Sequence, residues 1–200
     1  MNVLIILAHP NMNSFNRAIA ETASETLQLN GYNVIFHDLY KEGFNPVLIG
    51  KEIQEEALLE PIIEKHCMEL SIAEGIIVVH PNWWGQPPAI LKGWIDRVFR
   101  PGIAYKFLEN DSGEGIPIGL LKAKAAIVFN TSNTPERREL DIFGDPLETL
   151  WKNCIFGLCG VNNFHRKMYG VIVTSTLEQR EYWLRDVKKI VTEYFPLLET

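Results

Sequence analysis

Short apolar runs rich in β-branched residues alternate along the chain with longer segments in which apolar side chains recur at helical spacing. Runs of the first kind predict strands buried on both faces, and the helical spacing predicts helices packed against them. Strands are predicted at residues 3–8, 33–39, 75–80, 124–131 and 168–174. Helices are predicted at residues 14–29, 51–70, 89–99, 145–158 and 177–195, with a possible interruption of the second at Pro61.

The alternation of strands and helices predicts an α/β protein whose parallel sheet is covered by helices on both faces. Five such units favour the flavodoxin-like, doubly wound five-stranded sheet with strand order 2-1-3-4-5. No linker, repeat or low-complexity tract divides the sequence, so residues 1–200 are expected to form a single domain. In such a sheet, ligands bind beyond the carboxyl ends of the strands, between strands 1 and 3.

The composition is that of a globular protein, with 46% hydrophobic and 22% charged residues and a mean hydropathy of -0.02. The formal net charge of -6 disfavours binding to nucleic acid or to an anionic membrane surface. No apolar stretch approaches the roughly 20 residues that span a bilayer, and the start of the chain lacks the basic segment of a secretory signal. Three cysteines without paired spacing predict no disulfide framework and no metal site, and a cytoplasmic location is expected.

The loop after the first strand has the features of an anion site. Asn13 and Ser14 are candidate N-caps of a helix whose free N–H groups and dipole favour a negative charge, and His9 could add a donor. A plain helix cap beside a satisfied histidine explains the same residues. The glycine-rich signatures of nucleotide-hydrolysing and classical dinucleotide-binding loops are absent from the sequence, so neither class is favoured.

The segment after the third strand, HPNWWGQPP, places Trp83 and Trp84 directly beyond a buried strand. Gly85 permits a close backbone approach, and Pro87 and Pro88 stiffen the entry into the next helix. Large aromatic rings at the ligand edge of a sheet suit a flat aromatic ligand. Packing of both indoles in the core or in a dimer interface is the alternative.

The segment after the fourth strand, FNTSNTPERRE, gathers small hydrogen-bonding side chains that could hold the polar edge of the same ligand. Arg137 and Arg138 could meet a phosphate, although a solvated surface position is the simpler explanation. Residues 100–121 form a long connection, and connections of that length are usually functional or flexible. The sequence lacks the key residues of serine hydrolases, receiver domains and zinc proteases.

Several of these segments together resemble the flavodoxin-like NAD(P)H:quinone oxidoreductase family of the DT-diaphorase type. The resemblance extends from Met1 to about residue 160 and depends most on the long pattern PxxWxGxPAxLKGWxDRVF, met here at residues 81–99. It implies an enzyme that passes hydride from NAD(P)H to a quinone or similar small acceptor through a bound flavin, in a ping-pong cycle. The other residues that carry the resemblance are His9, Ser14, Phe15, Asn16, Asp38, Leu39 and Tyr40.

The resemblance also implies where the flavin lies. Its phosphate would meet His9, Ser14, Phe15 and Asn16. Its ring would lie on Pro81, Asn82, Trp83, Trp84 and Gly85 and on the turn formed by Asn130, Thr131, Ser132 and Asn133. FMN is favoured over the alternative, FAD, because the segment that reaches the adenine in longer FAD-binding relatives is shortened here between residues 45 and 65.

A homodimer is implied as well, in which a second subunit closes each pocket. The long connection would contribute the catalytic, substrate-facing phenol of Tyr105, with Phe107 beside it. Arg137 and Phe143 occupy the positions of a tyrosine and a histidine that assist hydride chemistry in the family, and both are candidates for substrate binding. The turn from Asn130 to Asn133 replaces the family's Thr-Thr-Gly-Gly. The acceptor step is therefore expected to differ from that of the family.

Two other functions fit the same fold. One is a regulatory flavoprotein subunit of a potassium-efflux system, as some relatives are. The other is a non-enzymatic electron carrier of the flavodoxin type. The tryptophan-rich segment after the third strand disfavours this function.

Overall fold

The computed structural model describes residues 1–108 and 115–198 and has a parallel five-stranded sheet at its centre. The strands are β1 (Asn2–Leu7), β2 (Asn33–Asp38), β3 (Gly75–Pro81), β4 (Tyr105–Lys106), β5 (Ile118–Gly119), β6 (Ala125–Ser132) and β7 (Phe164–Gly170). The sheet has the order β2-β1-β3-β6-β7 with every neighbouring pair parallel, while β4 and β5 form a separate antiparallel pair. The predicted α/β fold and the strand order 2-1-3-4-5 are confirmed.

Helices cover both faces of this sheet. They are α1 (Phe15–Leu29), α2 (Pro61–Ile72), α3 (Ala89–Val98), α4 (Glu136–Asp141), α5 (Pro146–Thr149) and α6 (Leu177–Tyr194). Helix α5 continues into a π-helical segment at Leu150–Gly157. Along β1, Val3 and Ile5 pack with α1 and α6, whereas Leu4 and Ile6 belong to the core that includes α2 and α3. Burial on both faces explains why this strand is apolar at every position.

The predicted helix at residues 51–70 is wrong over its first half, because the helix begins at Pro61. Before it, the structure has only a short 3₁₀ turn at Gly50–Glu52. Arg97 of α3 donates to both carboxyl oxygens of Glu52, at 2.9 and 2.6 Å, and to the carbonyl of Asn45 at 2.8 Å. Arg100 donates to the carbonyls of Glu52 and Gln54. These tertiary bonds use backbone acceptors that a helix would otherwise occupy, so they override the local helical pattern.

Gly93, in the middle of α3, lets the same segment approach closely. A Cβ atom built at this position would lie 2.1 Å from the carbonyl oxygen of Pro46. The glycine of the LKGW sequence is therefore required for packing rather than for ligand binding.

The last predicted strand, at residues 168–174, is also misplaced: β7 covers Phe164–Gly170, and Ile172–Thr174 forms a 3₁₀ turn. The true strand carries Arg166 and Lys167 and lies at the edge of the sheet, where one side has no neighbouring strand. An edge strand needs less apolar surface than a central one, so its sequence has a weaker apolar signal. Helix α4 lies in the segment after the fourth predicted strand, where the sequence pattern predicts no helix.

The long connection contains the β4–β5 pair, which holds Tyr105 opposite Gly119. Residues 109–114 of this connection lie outside the described residues. Within the described residues, no helix is both long and apolar enough to cross a membrane.

Candidate functional site

The loop between β1 and α1 is held by its own hydrogen bonds. The N–H of Asn11 donates to Nδ1 of His9 at 3.0 Å, and the N–H of Asn13 donates to Oδ1 of Asn11 at 2.8 Å. Ser14 caps α1 by accepting from the N–H of Arg17. Burial lowers the pKa of His9, and its Nδ1 is an acceptor, so the proton of the neutral ring lies on Nε2. His9 thus offers a donor beside the positive end of a helix.

A cavity of about 390 Å³ lies between this loop and the carboxyl ends of β3 and β6. Asn16 lines it, is 3% exposed, and donates from Nδ2 to Oγ1 of Thr131 at 2.8 Å. Its Oδ1 is buried and has no hydrogen-bond partner among the residues that the structure describes. We call this the first cavity. Its lining residues are His9, Asn11, Asn13, Ser14, Phe15, Asn16, Pro81, Asn82, Trp83, Thr131, Ser132, Asn133, Thr134, Ile172 and Arg180.

The turn after β3 presents an aromatic side chain to solvent. Trp83 and Gln86 exchange two backbone hydrogen bonds of 3.0 Å, and the residues between them, Trp84 and Gly85, have φ angles of 59° and 72°. Two successive positive φ angles are typical of a type I′ turn. Oδ1 of Asn82 accepts from the N–H of Gly85 and fixes the turn further. The indole of Trp84 is fully exposed, which excludes the alternative that it packs in the core of this chain.

A second cavity of about 520 Å³ adjoins the first and shares Asn82 and Thr134 with it. A Cβ atom on Gly85 would lie 2.9 Å from the ring of Pro146 across this space, so the close approach needs a glycine. The complete lining is Asn82, Trp84, Gly85, Thr134, Glu139, Phe143 and Pro146. A polar cavity at a helix N-terminus thus continues into a more apolar one, which is a suitable shape for a ligand with an anionic tail and a flat ring.

Buried polar pairs support the floor of the site. His80 donates from Nδ1 to the carbonyl of Pro81 and accepts from Nε1 of Trp151 at 3.0 Å. Complete burial lowers the pKa of His80 to about 4, so the ring stays neutral and keeps this tautomer. Asn130 lines neither cavity: its Oδ1 accepts from Arg166 at 2.8 Å. Of the predicted turn, Asn130 therefore supports the strand end, whereas Thr131, Ser132 and Asn133 face the first cavity.

Of the predicted substrate residues, one lines the second cavity and the others line neither cavity. Phe143 lines the second cavity, where it is 53% exposed. Arg137 lies outside both cavities, with a 92% exposed side chain paired to Asp141. Tyr105 and Phe107 pack edge to face at 5.8 Å, and neither lines the first or the second cavity. Burial raises the pKa of Tyr105, so its phenol remains protonated at neutral pH.

Sequence reasoning missed Arg180 and Glu139. Arg180 reaches the first cavity from α6, where its Nε donates to Oγ of Ser175 and its Nη2 donates to the carbonyl of Ile172. Glu139 lines the second cavity from α4 and is 4% exposed. Neither follows a predicted strand end directly, so only the tertiary structure brings them to the site. The capping box of α6, Thr176 with Gln179, is a sequence signal that could have placed Arg180 in a first helical turn.

A separate polar cluster joins the end of β2 to α2 and α3. The two ring nitrogens of His37 lie 2.8 Å from Glu42 and 2.7 Å from Glu69. Nε1 of Trp94 donates to Nδ1 of His66, whose Nε2 lies 3.4 Å from Glu42. A metal ion on Nε2 of His66 would force its proton onto Nδ1, against the indole N–H. These hydrogen bonds favour a proton-bearing cluster over a metal site.

The cluster makes stability depend on pH. Burial alone would lower the pKa of His37, but the hydrogen bonds and charges of Glu42 and Glu69 raise it above 6.5. Burial would raise the pKa of Glu42, but hydrogen bonds with His37 and His66 lower it to about 2. The stabilisation from His37 is therefore full below the pKa of 6.5 in the unfolded chain and is lost as pH rises through the folded value. The stabilisation from Glu42 is full above the pKa of 4.5 in the unfolded chain, and it is lost as pH falls towards the folded pKa of about 2.

We expect His37→Gln to lower the free energy of unfolding most between pH 4.5 and 6.5, and progressively less at higher pH. Urea unfolding of both proteins across a pH series measures this difference. The equivalent change at exposed Lys188, Lys188→Gln, is the control, because Lys188 lies on α6 and outside the cluster. A difference that grows as pH rises above neutrality would contradict the assigned proton on His37.

Comparisons with known proteins agree with the observed fold. A family model described as a flavodoxin-like fold matches residues 1–186. A protein of Haemophilus influenzae, named an uncharacterized NAD(P)H oxidoreductase, is 41% identical over 86% of this chain and 85% of its own. NAD(P)H dehydrogenase [quinone] 1 of Cavia porcellus is 37% identical over 52% of this chain, a match that spans 45% of that longer protein.

Solved structures of other proteins have the same fold. The NAD(P)H:quinone oxidoreductase from Methanothermobacter marburgensis superposes with a TM-score of 0.78 at 26% identity, covering 96% of this chain and 95% of its own. An FMN-dependent NADH-azoreductase from Bacillus anthracis, solved in complex with FMN, has a TM-score of 0.76 over 96% of this chain and 99% of its own. Its 16% identity extends the likeness to the fold alone.

Proposed function

The chain belongs to the flavodoxin-like fold family, and from that membership and the geometry of the site we propose that it is a flavin-dependent NAD(P)H oxidoreductase that reduces a quinone or similar small acceptor. The observation that carries the proposal is the pair of adjoining cavities at the carboxyl ends of β1, β3 and β6. An anion site, a set of hydrogen-bonding groups and an apolar space lie there in one continuous line.

The residues of the first cavity fit a flavin. The phosphate would bind to the N-terminus of α1, with His9 Nε2 and Arg180 as further donors. The unpartnered Oδ1 of Asn16 is an acceptor suited to a hydroxyl of the ribityl chain. Thr131 to Asn133 would face the polar edge of the ring, and Pro81 to Gly85 would pack against its plane. We propose FMN rather than FAD, because the segment that reaches the adenine in longer FAD-binding relatives is shortened here between residues 45 and 65.

A bound flavin would supply the hydride chemistry, accepting hydride from NAD(P)H and giving it to the acceptor in turn. The chain supplies position and electrostatics. The neutral ring of His9 keeps its N–H on Nε2, and the neutral ring of His80 donates from Nδ1 to the carbonyl of Pro81. The type I′ turn holds Trp84 beside the second cavity. Donor and acceptor would use that cavity in succession, as a ping-pong cycle requires. Phe143 would form one apolar wall for both.

We propose that the active form is a homodimer in which Tyr105 of one chain completes the site of the other. Tyr105 and Phe107 lie apart from the cavities of their own chain. Several large apolar side chains are also exposed, as at Trp84 (101%) and Leu58 (94%). Obligate interfaces bury apolar side chains of this kind. Other exposed apolar side chains are Val47, Ile53, Ile116 and Ile142.

Sedimentation at micromolar concentration is expected to show a species of two 22.9 kDa chains. Replacing Leu58 by Glu should shift the population towards the single chain, since a buried unpaired charge opposes association. Replacing exposed Leu29, on the opposite face of the sheet, is the matched control. A single chain at all concentrations would contradict the composite site.

Arg180→Ala is expected to weaken FMN binding by roughly tenfold to a hundredfold, because a charge-assisted hydrogen bond to phosphate is worth about 1.5–3 kcal/mol. Riboflavin, which lacks the phosphate, should bind the wild type and the variant alike. Arg185→Ala, on the same helix but over Tyr182, should leave FMN binding unchanged. Equal loss for FMN and riboflavin would show that Arg180 shapes the cavity without meeting the phosphate.

Rapid mixing of the two half-reactions tests the proposed activity. NADH and NADPH are each mixed with the flavin-loaded protein, and the reduced protein is then mixed with a quinone. We expect bleaching of the flavin band in the first step and its return in the second. A protein that is not bleached by either nucleotide, but forms a stable one-electron state with dithionite, would be an electron carrier. We also propose that the exposed guanidinium of Arg137 binds the 2′-phosphate of NADPH, so Arg137→Ala in the same experiment should slow reduction by NADPH only.

A further inference from the structure

Glu139 is a buried acidic side chain that the activity described so far does not use. It lies on α4, is 4% exposed, and lines the second cavity beside Trp84 and Phe143. Among the residues that the structure describes, the hydrogen bond that reaches its carboxyl group comes from Oγ of Ser132, at the long distance of 3.4 Å. A carboxyl group has about four acceptor positions, so this one is left with most of them empty.

Burial of a carboxyl group with so few partners is unfavourable, and buried polar groups in proteins almost always have hydrogen bonds. Glu139 lines the second cavity, so a ligand bound there can supply a further donor. The other walls of this cavity are chiefly apolar or aromatic: Trp84, Gly85, Phe143 and Pro146. A ligand with an N–H group on a flat ring would therefore find its acceptor at Glu139.

The position of Ser132 indicates which flat ring would donate its N–H to Glu139. Ser132 lines the first cavity with Thr131 and Asn133, the turn proposed to meet the polar edge of the flavin. Its hydroxyl also accepts from the N–H of Thr134 at 3.0 Å, so the turn and the carboxyl group of Glu139 are held together. The oxidised isoalloxazine ring has one N–H group, N3–H, and it lies on that polar edge.

We infer that Glu139 is a flavin-binding residue whose carboxyl oxygen accepts a hydrogen bond from N3–H of the ring. The inference rests on the proposed function and deepens it. Glu139 would supply a polar contact in the cavity where Phe143 stands in place of a histidine. It would also fix the rotation of the ring in its plane, since one edge would be tied to α4 and the phosphate to α1.

The test is a double-mutant cycle on binding, with FMN and 3-methyl-FMN, which lacks N3–H. Affinities are measured by quenching of flavin fluorescence, without turnover. Wild-type protein should bind 3-methyl-FMN roughly tenfold to a hundredfold more weakly than FMN. Glu139→Met, which has no comparable acceptor, should bind FMN more weakly by a similar factor and lose most of the preference for FMN. Glu139→Gln, which keeps an acceptor, should retain part of the preference.

Glu136→Met, an exposed position on the same helix, is the matched control and should keep the wild-type preference. Equal binding of FMN and 3-methyl-FMN by the wild type would overturn the inference. So would an unchanged preference in Glu139→Met, whatever its affinity for FMN. Failure of the wild type to bind any flavin would instead refute the proposed function, so the two failures are distinguishable. If Glu139→Met does not fold, the wild type and Glu139→Gln still decide the result.

Discussion

Arg97→Met is expected to lower the free energy of unfolding by about 3–5 kcal/mol, the usual effect of removing one partner of a buried ion pair. Arg97 and Glu52 each have side chains that are 1% exposed, and two hydrogen bonds join them. Without the guanidinium, the carboxyl group of Glu52 is left buried without its ion-pair partner, and the carbonyl of Asn45 loses its donor. Denaturant unfolding of both proteins measures the loss.

Arg137→Met is the control, because Arg137 forms an exposed ion pair four residues along a helix. Pairs of this kind contribute about 0.3–0.5 kcal/mol. Glu52→Gln together with Arg97→Met should recover part of the stability, since the uncompensated charge is then removed. A loss at Arg97 as small as that at Arg137 would show that Arg97 does not hold residues 45–60 in place.

Tyr105→Phe is expected to slow reoxidation of the reduced protein by a quinone about 10²-fold, the lower range of a general acid contribution. Burial raises the pKa of Tyr105, so its phenol carries a proton when the acceptor needs one. Arg137 and Phe143 offer no replacement, because an arginine does not release its proton and a phenylalanine has none. Reduction by NAD(P)H should be unaffected, since no proton is donated to an acceptor in that step.

Rapid mixing separates the two steps, and ferricyanide gives an internal comparison because it accepts electrons without protons. Its reaction with Tyr105→Phe should match that of the wild type. Tyr182→Phe, at an exposed position on α6, controls for loss of a phenol elsewhere. If the quinone step is unchanged in Tyr105→Phe, Tyr105 is a wall of the pocket and has no part in proton transfer.

The parts of the fold predicted correctly are those with a local physical cause. β1 and β3 are apolar at almost every position because helices cover both faces of the sheet, so composition alone reveals them. The loop after β3 was also recognisable, since Gly85 and successive prolines separate a buried apolar run from the helical spacing of α3. The parallel strand order then follows from the alternation of elements.

The errors have tertiary causes. Residues 51–60 have helical spacing, yet Arg97 and Arg100 hold their backbone in another conformation from a distance of more than 40 positions along the chain. β7 was misplaced because an edge strand can be polar. Asn130 was assigned to the ligand but bonds to Arg166 instead. Arg180 lies on α6, beyond the segments examined at the strand ends, and Glu139 ends the segment FNTSNTPERRE but reaches the second cavity only because α4 forms there.

Titration of flavin-free protein with FMN tests the central claim most directly, by tryptophan fluorescence and visible absorption together. The account predicts saturation at one FMN for each chain, quenching of tryptophan emission through Trp83 and Trp84, and a structured visible band typical of a ring removed from water. FAD should bind no more tightly than FMN. No change in either signal at excess FMN and excess FAD, with a protein that is folded and dimeric, would contradict the account.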